Sequence, residues 1–327
     1  MSYSRFLTPR IYTDIAMSLL SRGLDPAEIA PSGVSVDSDS DILDLFNGRP
    51  AQTVTFDTTS GGSTSLVITL DTTLSNEYPQ LGAFILLNTN FPTVAGVTSP
   101  TILLEHSSDG SSWVEYTPTA VVNCSVSGND ITMTEDGSLI ATVAPPETTT
   151  RYVRATFDCD PSWNLSTDLF IGGLFFAQVY DFAHGPDLAV KTALEYRGTK
   201  QKTAESGAIY STAKYLGGGA GHPFRNEDSL DPLLQRDGRR VVDCEFSHID
   251  DTELLPSDGS FALTSTDSLE SLLQRVAGGH LPCVFTPDGS STTAGDYVFG
   301  RIDGKKAKPT QIANRVWRHG FRFVEDF

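Results

Sequence analysis

Residues 103–113 constrain this chain more than any other stretch. They read Leu103-Leu104-Glu105-His106-Ser107-Ser108-Asp109-Gly110-Ser111-Ser112-Trp113, a strand, an Asp-Gly turn and a second strand opened by tryptophan. Glycine adopts the positive φ that a tight turn requires, so Asp-Gly between two such runs predicts a hairpin. In that hairpin Trp113 is expected to fold its indole into a sheet-on-sheet core. Other strand signals lie at 53–56, 65–70, 83–88, 101–106, 113–116, 120–126, 131–134, 139–143, 152–157 and 171–180. Turns rich in Gly, Asn, Asp and Pro separate them, with no helical period between, which predicts an all-β sandwich for this half.

Two further pieces sharpen that reading. Thr150-Arg151-Tyr152-Val153-Arg154-Ala155-Thr156-Phe157 alternates so that Tyr152, Arg154 and Thr156 share one face, and Asp41-Ile42-Leu43-Asp44-Leu45-Phe46-Asn47-Gly48 lies upstream. In this order the three pieces resemble the discoidin, or galactose-binding-like, β-sandwich family. That family carries a leucine-asparagine/aspartate-glycine turn, a Ser-x-Asp-Gly-x-x-Trp hairpin and a late Arg-Tyr-Val-Arg strand. Asn47 stands where the family usually has aspartate. The resemblance covers residues 35–182 and implies a jelly-roll sandwich there.

At 327 residues the chain is long enough for two cores. No run approaches the ~18–20 apolar residues of a membrane span. Met1-Ser2-Tyr3-Ser4-Arg5-Phe6 is not a basic segment leading into an apolar one, so no secretory signal is expected and synthesis is placed in a cytoplasm. Charge is uneven. Residues 1–182 hold 21 acidic and 6 basic side chains, a net −15 without one lysine, whereas residues 183–327 hold 20 and 17, a net −3. This shift places a domain boundary near Phe182, and the acidic half argues against nucleic-acid binding. Cys124, Cys159, Cys244 and Cys283 lack the close pairs of a zinc site. Cys124 and Cys159 can meet within a sandwich, but without a signal peptide free thiols are expected.

The first 34 residues read as an N-terminal arm, helix-like at Ile11, Ile15, Leu19 and Leu20 and equally strand-prone at Ile11-Tyr12-Thr13. Past Phe182 the pattern becomes mixed. Strands are predicted at 193–196, 241–248, 283–285, 297–302 and 317–325, and a helix over 267–276 capped by Asp267 or Ser268 and stopped by Gly278-Gly279. A long irregular loop, 198–240, is expected to touch a neighbour or carry a function. This makes 183–327 a smaller α+β or β domain. Its run Cys244-Glu245-Phe246-Ser247, Leu281-Pro282-Cys283-Val284-Phe285-Thr286-Pro287-Asp288, Phe299-Gly300-Arg301-Ile302 and Trp317-Arg318-His319-Gly320-Phe321-Arg322-Phe323-Val324-Glu325 resembles tail-tip or baseplate proteins of tailed bacteriophages, of the distal-tail type. The resemblance covers residues 190–327. It implies a structural virion protein that builds a three- or six-fold ring and contacts hub, tube and fibre proteins. The alternative is a carbohydrate-binding module acting on cell-surface glycans.

Candidate site residues follow from these readings. Trp163 and Phe91 fall in predicted loops beside Asn164 and Asn90, where an aromatic face can stack on a sugar while amides meet hydroxyls. Plugging the open end of the sandwich is the competing role. Asp37, Asp39 and Asp41 alternate and can offer oxygens to calcium, which many discoidin-like domains bind, but the EF-hand glycine and glutamate are missing and a solvated acidic linker is the favoured reading. For assembly the candidates are Arg225, Arg239, Arg240, Lys305, Lys306 and Trp317. Gly217–Gly221 lacks the Lys-Ser/Thr of a phosphate loop, and neither Gly-x-Ser-x-Gly nor His-Glu-x-x-His occurs. No catalytic residues and no cofactor beyond calcium are expected.

Overall fold

Alternation along residues 152–158 is realised as read: Val153, Ala155 and Phe157 are fully buried, while Tyr152, Arg154 and Thr156 lie half-buried on the opposite face. The structure is a computed structural model describing residues 7–58, 65–73, 80–94, 100–144, 150–158, 167–187, 190–195, 201–211, 224, 238–256, 268–304 and 309–326. Within these residues the first strands are β1 (Arg10–Asp14), β2 (Ile29–Ser32), β3 (Ser35–Val36), β4 (Val54–Asp57), β5 (Ser65–Asp71), β6 (Ala83–Thr89) and β7 (Thr101–Ser107). Next come β8 (Val114–Glu115), β9 (Pro118–Val122), β10 (Cys124–Ser127), β11 (Asp130–Met133), β12 (Gly137–Val143), β13 (Tyr152–Asp158) and β14 (Leu169–Asp181). The remainder are β15 (Lys191–Glu195), β16 (Gln201–Thr203), β17 (Ile209–Ser211), β18 (Arg239–Asp250), β19 (Cys283–Thr286), β20 (Val298–Ile302), β21 (Thr310–Ala313) and β22 (Val316–Glu325). Short helices punctuate them: α1 (Ile15–Leu20), α2 (Phe91–Val94), α3 (Asp251–Leu254) and α4 (Leu269–Arg275).

Thirteen of these strands form one antiparallel sheet. Its main path runs β15-β18-β22-β20-β19-β1-β14-β6-β12-β9, with β21 on β22, and β4 on β14 carrying β3. Seven form a second sheet, β10-β11-β7-β13-β5-β2, with β8 on β7, and β16–β17 stand as a ribbon of their own. The mainly β class read from the sequence is therefore the class of the structure, and its first half is a sandwich of two antiparallel sheets. Across that sandwich Phe84 of the large sheet faces Phe157 of the small one at 6.4 Å, and Phe91 meets Phe157 edge-on at 5.4 Å.

One run read as a single strand, 120–126, is two. Asn123 turns the chain with φ +52, a conformation asparagine tolerates better than most residues, and its side chain donates to the Ser138 carbonyl. Before the turn β9 belongs to the large sheet, and after it β10 belongs to the small one.

The large sheet does not stop at Phe182. β1 pairs with β14 on one side and β19 on the other, so the strand-prone stretch of the N-terminal arm, residues 10–14, is a central strand of the sheet. Alternation along β1 sends Tyr12 into one apolar cluster and Ile11 into another. The cluster that holds Tyr12 fills the sandwich. The one that holds Ile11 gathers Tyr180, Phe182, Phe246, Phe285, Phe321 and Phe323 with Leu269, Leu272 and Val276 at α4. Phe182 stacks on Phe246 at 4.5 Å, so the residue where composition changes is itself core. Asp14 fixes the turn from β1 into α1, accepting from Met17 N at 2.7 Å and from Phe176 N at 2.9 Å. Helix α4 forms as read: Ser268 Oγ accepts from Ser271 N, and Gly278 and Gly279 close the end with φ +67 and +97. The expected irregular loop 198–240 contains an ordered ribbon, β16–β17, and the buried Phe224, which packs against Tyr297 at 6.0 Å.

Candidate ligand-contacting surface

The Asp-Gly hairpin builds the most distinctive surface of the sandwich. Asp109 organises the turn: its Oδ1 accepts from Ser112 N, Ser111 N and the Ser107 hydroxyl. These bonds, the Ser112 and Ser111 amides foremost, hold the carboxyl well below the usual carboxylate range. Gly110 follows with φ +73, and a Cβ there would lie 3.2 Å from Cζ of Tyr152. The turn is thus laid on the tyrosine ring, and only glycine fits both demands.

Trp113 is not in the core. β8 pairs with β7 so that Glu115 sits opposite Glu105 and Val114 opposite His106. Counting back one residue puts Trp113 on the Glu105 face, which is the outer face of the small sheet. There the Arg154 guanidinium lies 3.9 Å from the centroid of the Trp113 ring, and Tyr152 meets the indole edge-on at 6.5 Å. Arg154 is held by a bidentate fork to Glu105, at 2.6 and 2.9 Å. Arg151 makes the same fork to Asp71, both bonds 2.7 Å, and sits 4.9 Å from the Tyr152 centroid. Burial alone would raise the Asp71 carboxyl; Arg151 and the Thr73 amide outweigh it and leave it below its ordinary value. The result is a pair of touching aromatics, Tyr152 and Trp113, with a cation against each, Arg151 and Arg154, and each cation oriented by a carboxylate. A guanidinium has five N–H donors, so a fork to one carboxylate leaves others for a ligand hydroxyl.

The residues nominated for sugar contact lie elsewhere. Phe91 is fully buried at the start of α2 and offers no face to a ligand. Asn90 is 7 % exposed; its Nδ2 donates to the Asp168 carbonyl and its Oδ1 accepts from Phe170 N, which pins the start of β14. Trp163 and Asn164 lie outside the described residues, as does Cys159. Cys124 is a free thiol whose Sγ donates to the Ile140 carbonyl. Phe91 takes the plugging role that competed with sugar contact, packed against Phe157, whereas Trp113, expected in the core, lies on the outer face. The usable signal was register: pairing β8 to β7 from the turn fixes the face of Trp113.

The acidic run does not converge. Asp37 accepts from the Ser38 hydroxyl and Asp39 N, and Asp41 caps the next turn by accepting from Leu43 N. These are local turn bonds, which hold the Asp37 and Asp41 carboxylates against neighbouring residues of their own segment. Among the described residues no three His, Cys, Asp or Glu side chains gather as a metal site.

Of the assembly candidates, Arg225, Lys305 and Lys306 lie outside the described residues. Arg240 turns inward: it bonds Glu325, which is 1 % exposed, and the carbonyls of Gly295 and Tyr297. Trp317 is half-buried and donates to Asp251. Arg239 reaches Asp326 at 3.8 Å beside Arg301, which bonds the same carboxylate at 2.7 Å, along an open cleft of about 720 Å³. The described cations of this half are therefore largely matched within the chain. The described histidines do not share a site either; His106 packs on Tyr116 at 4.8 Å, while His319 is fully buried with neither ring nitrogen hydrogen-bonded.

No protein-family model and no curated protein sequence matches the chain. Solved structures similar in fold include the C-terminal domain of a chitobiase from Bacteroides fragilis, 14 % identical, covering 49 % of this chain and 98 % of that one with a TM-score of 0.30. A CBM32 module from a family 31 glycoside hydrolase of Clostridium perfringens is 12 % identical and covers 46 % and 94 %, with a TM-score of 0.31. A second Clostridium perfringens CBM32 module, in complex with GlcNAc-α-1,4-galactose, is 13 % identical and covers 46 % and 90 %, with a TM-score of 0.29. Each match spans about half of this chain and nearly all of the smaller module.

Proposed function

We propose that this chain is a binding protein rather than a catalyst, and that the outer face of its small sheet contacts saccharide. The observation that carries the reading is Trp113, half-buried and held in place by Arg154 and Tyr152. An indole held on one face by the Arg154 guanidinium suits a sugar ring on its other face, where the C–H side of the sugar stacks while its hydroxyls accept hydrogen bonds from nearby guanidinium N–H groups. Pre-set side chains also lower the ordering cost of binding. Glycan-array screening followed by calorimetry on the full chain tests it. Trp113→Ala, with its fold checked by circular dichroism, is expected to weaken the best glycan about tenfold or more. Equal binding by that variant, or no glycan bound by the parent, rejects the reading.

A second reading keeps one specific support. The ribbon β16–β17, with Ile209 and Tyr210 exposed at 68 % and 66 %, suits a protein that assembles. It agrees with the structural virion role, in a phage tail tip, that the resemblance of residues 190–327 implies. Rings in negative-stain images of the purified chain would favour it, and a uniform population of single particles would count against it.

A further inference from the structure

Among the described residues the large sheet ends at β15, and the sequence of that strand is complementary to itself. β15 pairs on one side with β18, and its first four residues are exposed. The outer side of such a strand presents N–H and C=O groups that another strand can complete. β15 reads Lys191-Thr192-Ala193-Leu194-Glu195. Laid antiparallel on an identical strand, with the two-fold axis at Ala193, Lys191 of each copy falls opposite Glu195 of the other. Both ion pairs lie on one face, and Thr192 faces Leu194 on the other. An axis at Thr192 or Leu194 loses both ion pairs, so charge selects a single register. A lone lysine would blunt an edge; here the same strand also carries Glu195, whose carboxylate, bonded to Arg322 within the chain, has a second oxygen that a copy's lysine would approach.

Pairing five residues alone covers too little surface, since stable dimers bury roughly 1,200–2,000 Å². The next described element along the chain, the ribbon β16–β17, supplies more. Ile209 and Tyr210 project from a two-stranded sheet, which is marginal in water unless something packs against it. Charge agrees as well. β15 lies in the half of net −3, at the far end of the sheet path from β9 in the half of net −15, so two copies meeting there keep their acidic halves apart.

We propose that the chain forms a two-fold dimer in which the β15 edges pair antiparallel about Ala193 and the two β16–β17 ribbons flank the seam. This holds whether or not the sandwich binds saccharide. Sedimentation of the full chain over a micromolar-to-millimolar series tests it. The parent is expected to reach a dimer. Lys191→Glu sets two glutamates against each other at both ends of the seam and should weaken association about tenfold. Glu195→Lys should do likewise, and an equimolar mixture of the two variants should recover a heterodimer. Because Glu195 also bonds Arg322, that variant is checked by circular dichroism. If it does not fold, Tyr210→Lys, in the exposed ribbon, takes its place and should also favour monomer. A monomeric parent, a parent that closes as three or six copies, a Lys191→Glu dimer of unchanged affinity, or folded variants that do not complement each other overturns the proposal.

Discussion

Gly110 and His319 show how single residues carry this fold. Gly110 combines φ +73 with a ring beneath it, whereas Gly128 has φ +64 and open space where a Cβ would stand. Alanine at Gly110 should therefore cost about 1–2 kcal/mol, and alanine at Gly128 about 1 kcal/mol or less, in denaturant unfolding. His319 gives a pH signature. Burial drops its pKa from 6.5 to about 4, so the unfolded chain takes up the proton first as the solution acidifies. Its contribution is complete above about pH 6.5 and falls away toward pH 4, by up to about 3 kcal/mol. Asp14 acts in the opposite sense, since burial raises it from 3.8 to about 7 and its contribution fades as pH rises between those values. His319→Leu isolates the first effect: relative to the parent, the variant should gain about 2–3 kcal/mol between pH 7 and pH 4.5. A constant difference between the two proteins across that range would contradict the assignment. Nothing in the sequence distinguished His319 from the other five histidines, because its isolation depends on which strands flank it.

At the scale of elements, the two long strands β18 and β22 present two kinds of ion pair. Arg240 and Glu325 meet where Glu325 is almost fully buried, and Arg240 also holds two carbonyls. Arg318 and Glu245 pair at 2.8 Å with side chains 55 % and 43 % exposed. Removing one partner of the buried pair leaves an uncompensated charge, so Arg240→Ala should cost about 3–5 kcal/mol in chemical denaturation. Arg318→Ala should cost less than about 1 kcal/mol. The strands themselves were legible in the sequence, because alternation and turn residues are local signals. The break at Asn123 was not, since β-prone residues stand on both sides of it and only the need to change sheets bends the chain there.

For the whole molecule, the decisive element is β1, inserted between β14 and β19 and sending side chains into both apolar clusters. Such a strand should couple the two clusters. Trp113 and Trp317 report on one half each, so single-tryptophan variants keeping either one should unfold with the same denaturant midpoint. Separate midpoints would mean two units that melt independently. Thr13→Pro removes a backbone donor from this central strand and should lower both midpoints together, through a stability loss of about 3 kcal/mol. Sequence alone determined the β class, the Asp-Gly hairpin, helix α4 with its serine cap, and the change of charge at Phe182, all of which depend on neighbours a few residues apart. Tertiary structure decided that one sheet runs through that change, that Phe91 is buried while Trp113 faces outward, and that Arg240 pairs with the buried Glu325. The face of Trp113 follows from the short β7–β8 register, which shows only once those two strands are paired. The continuity of the sheet and the place of Arg240 depend on contacts between residues 85 and more apart, as between Arg240 and Glu325 or β1 and β14, and no local pattern encodes which edges meet.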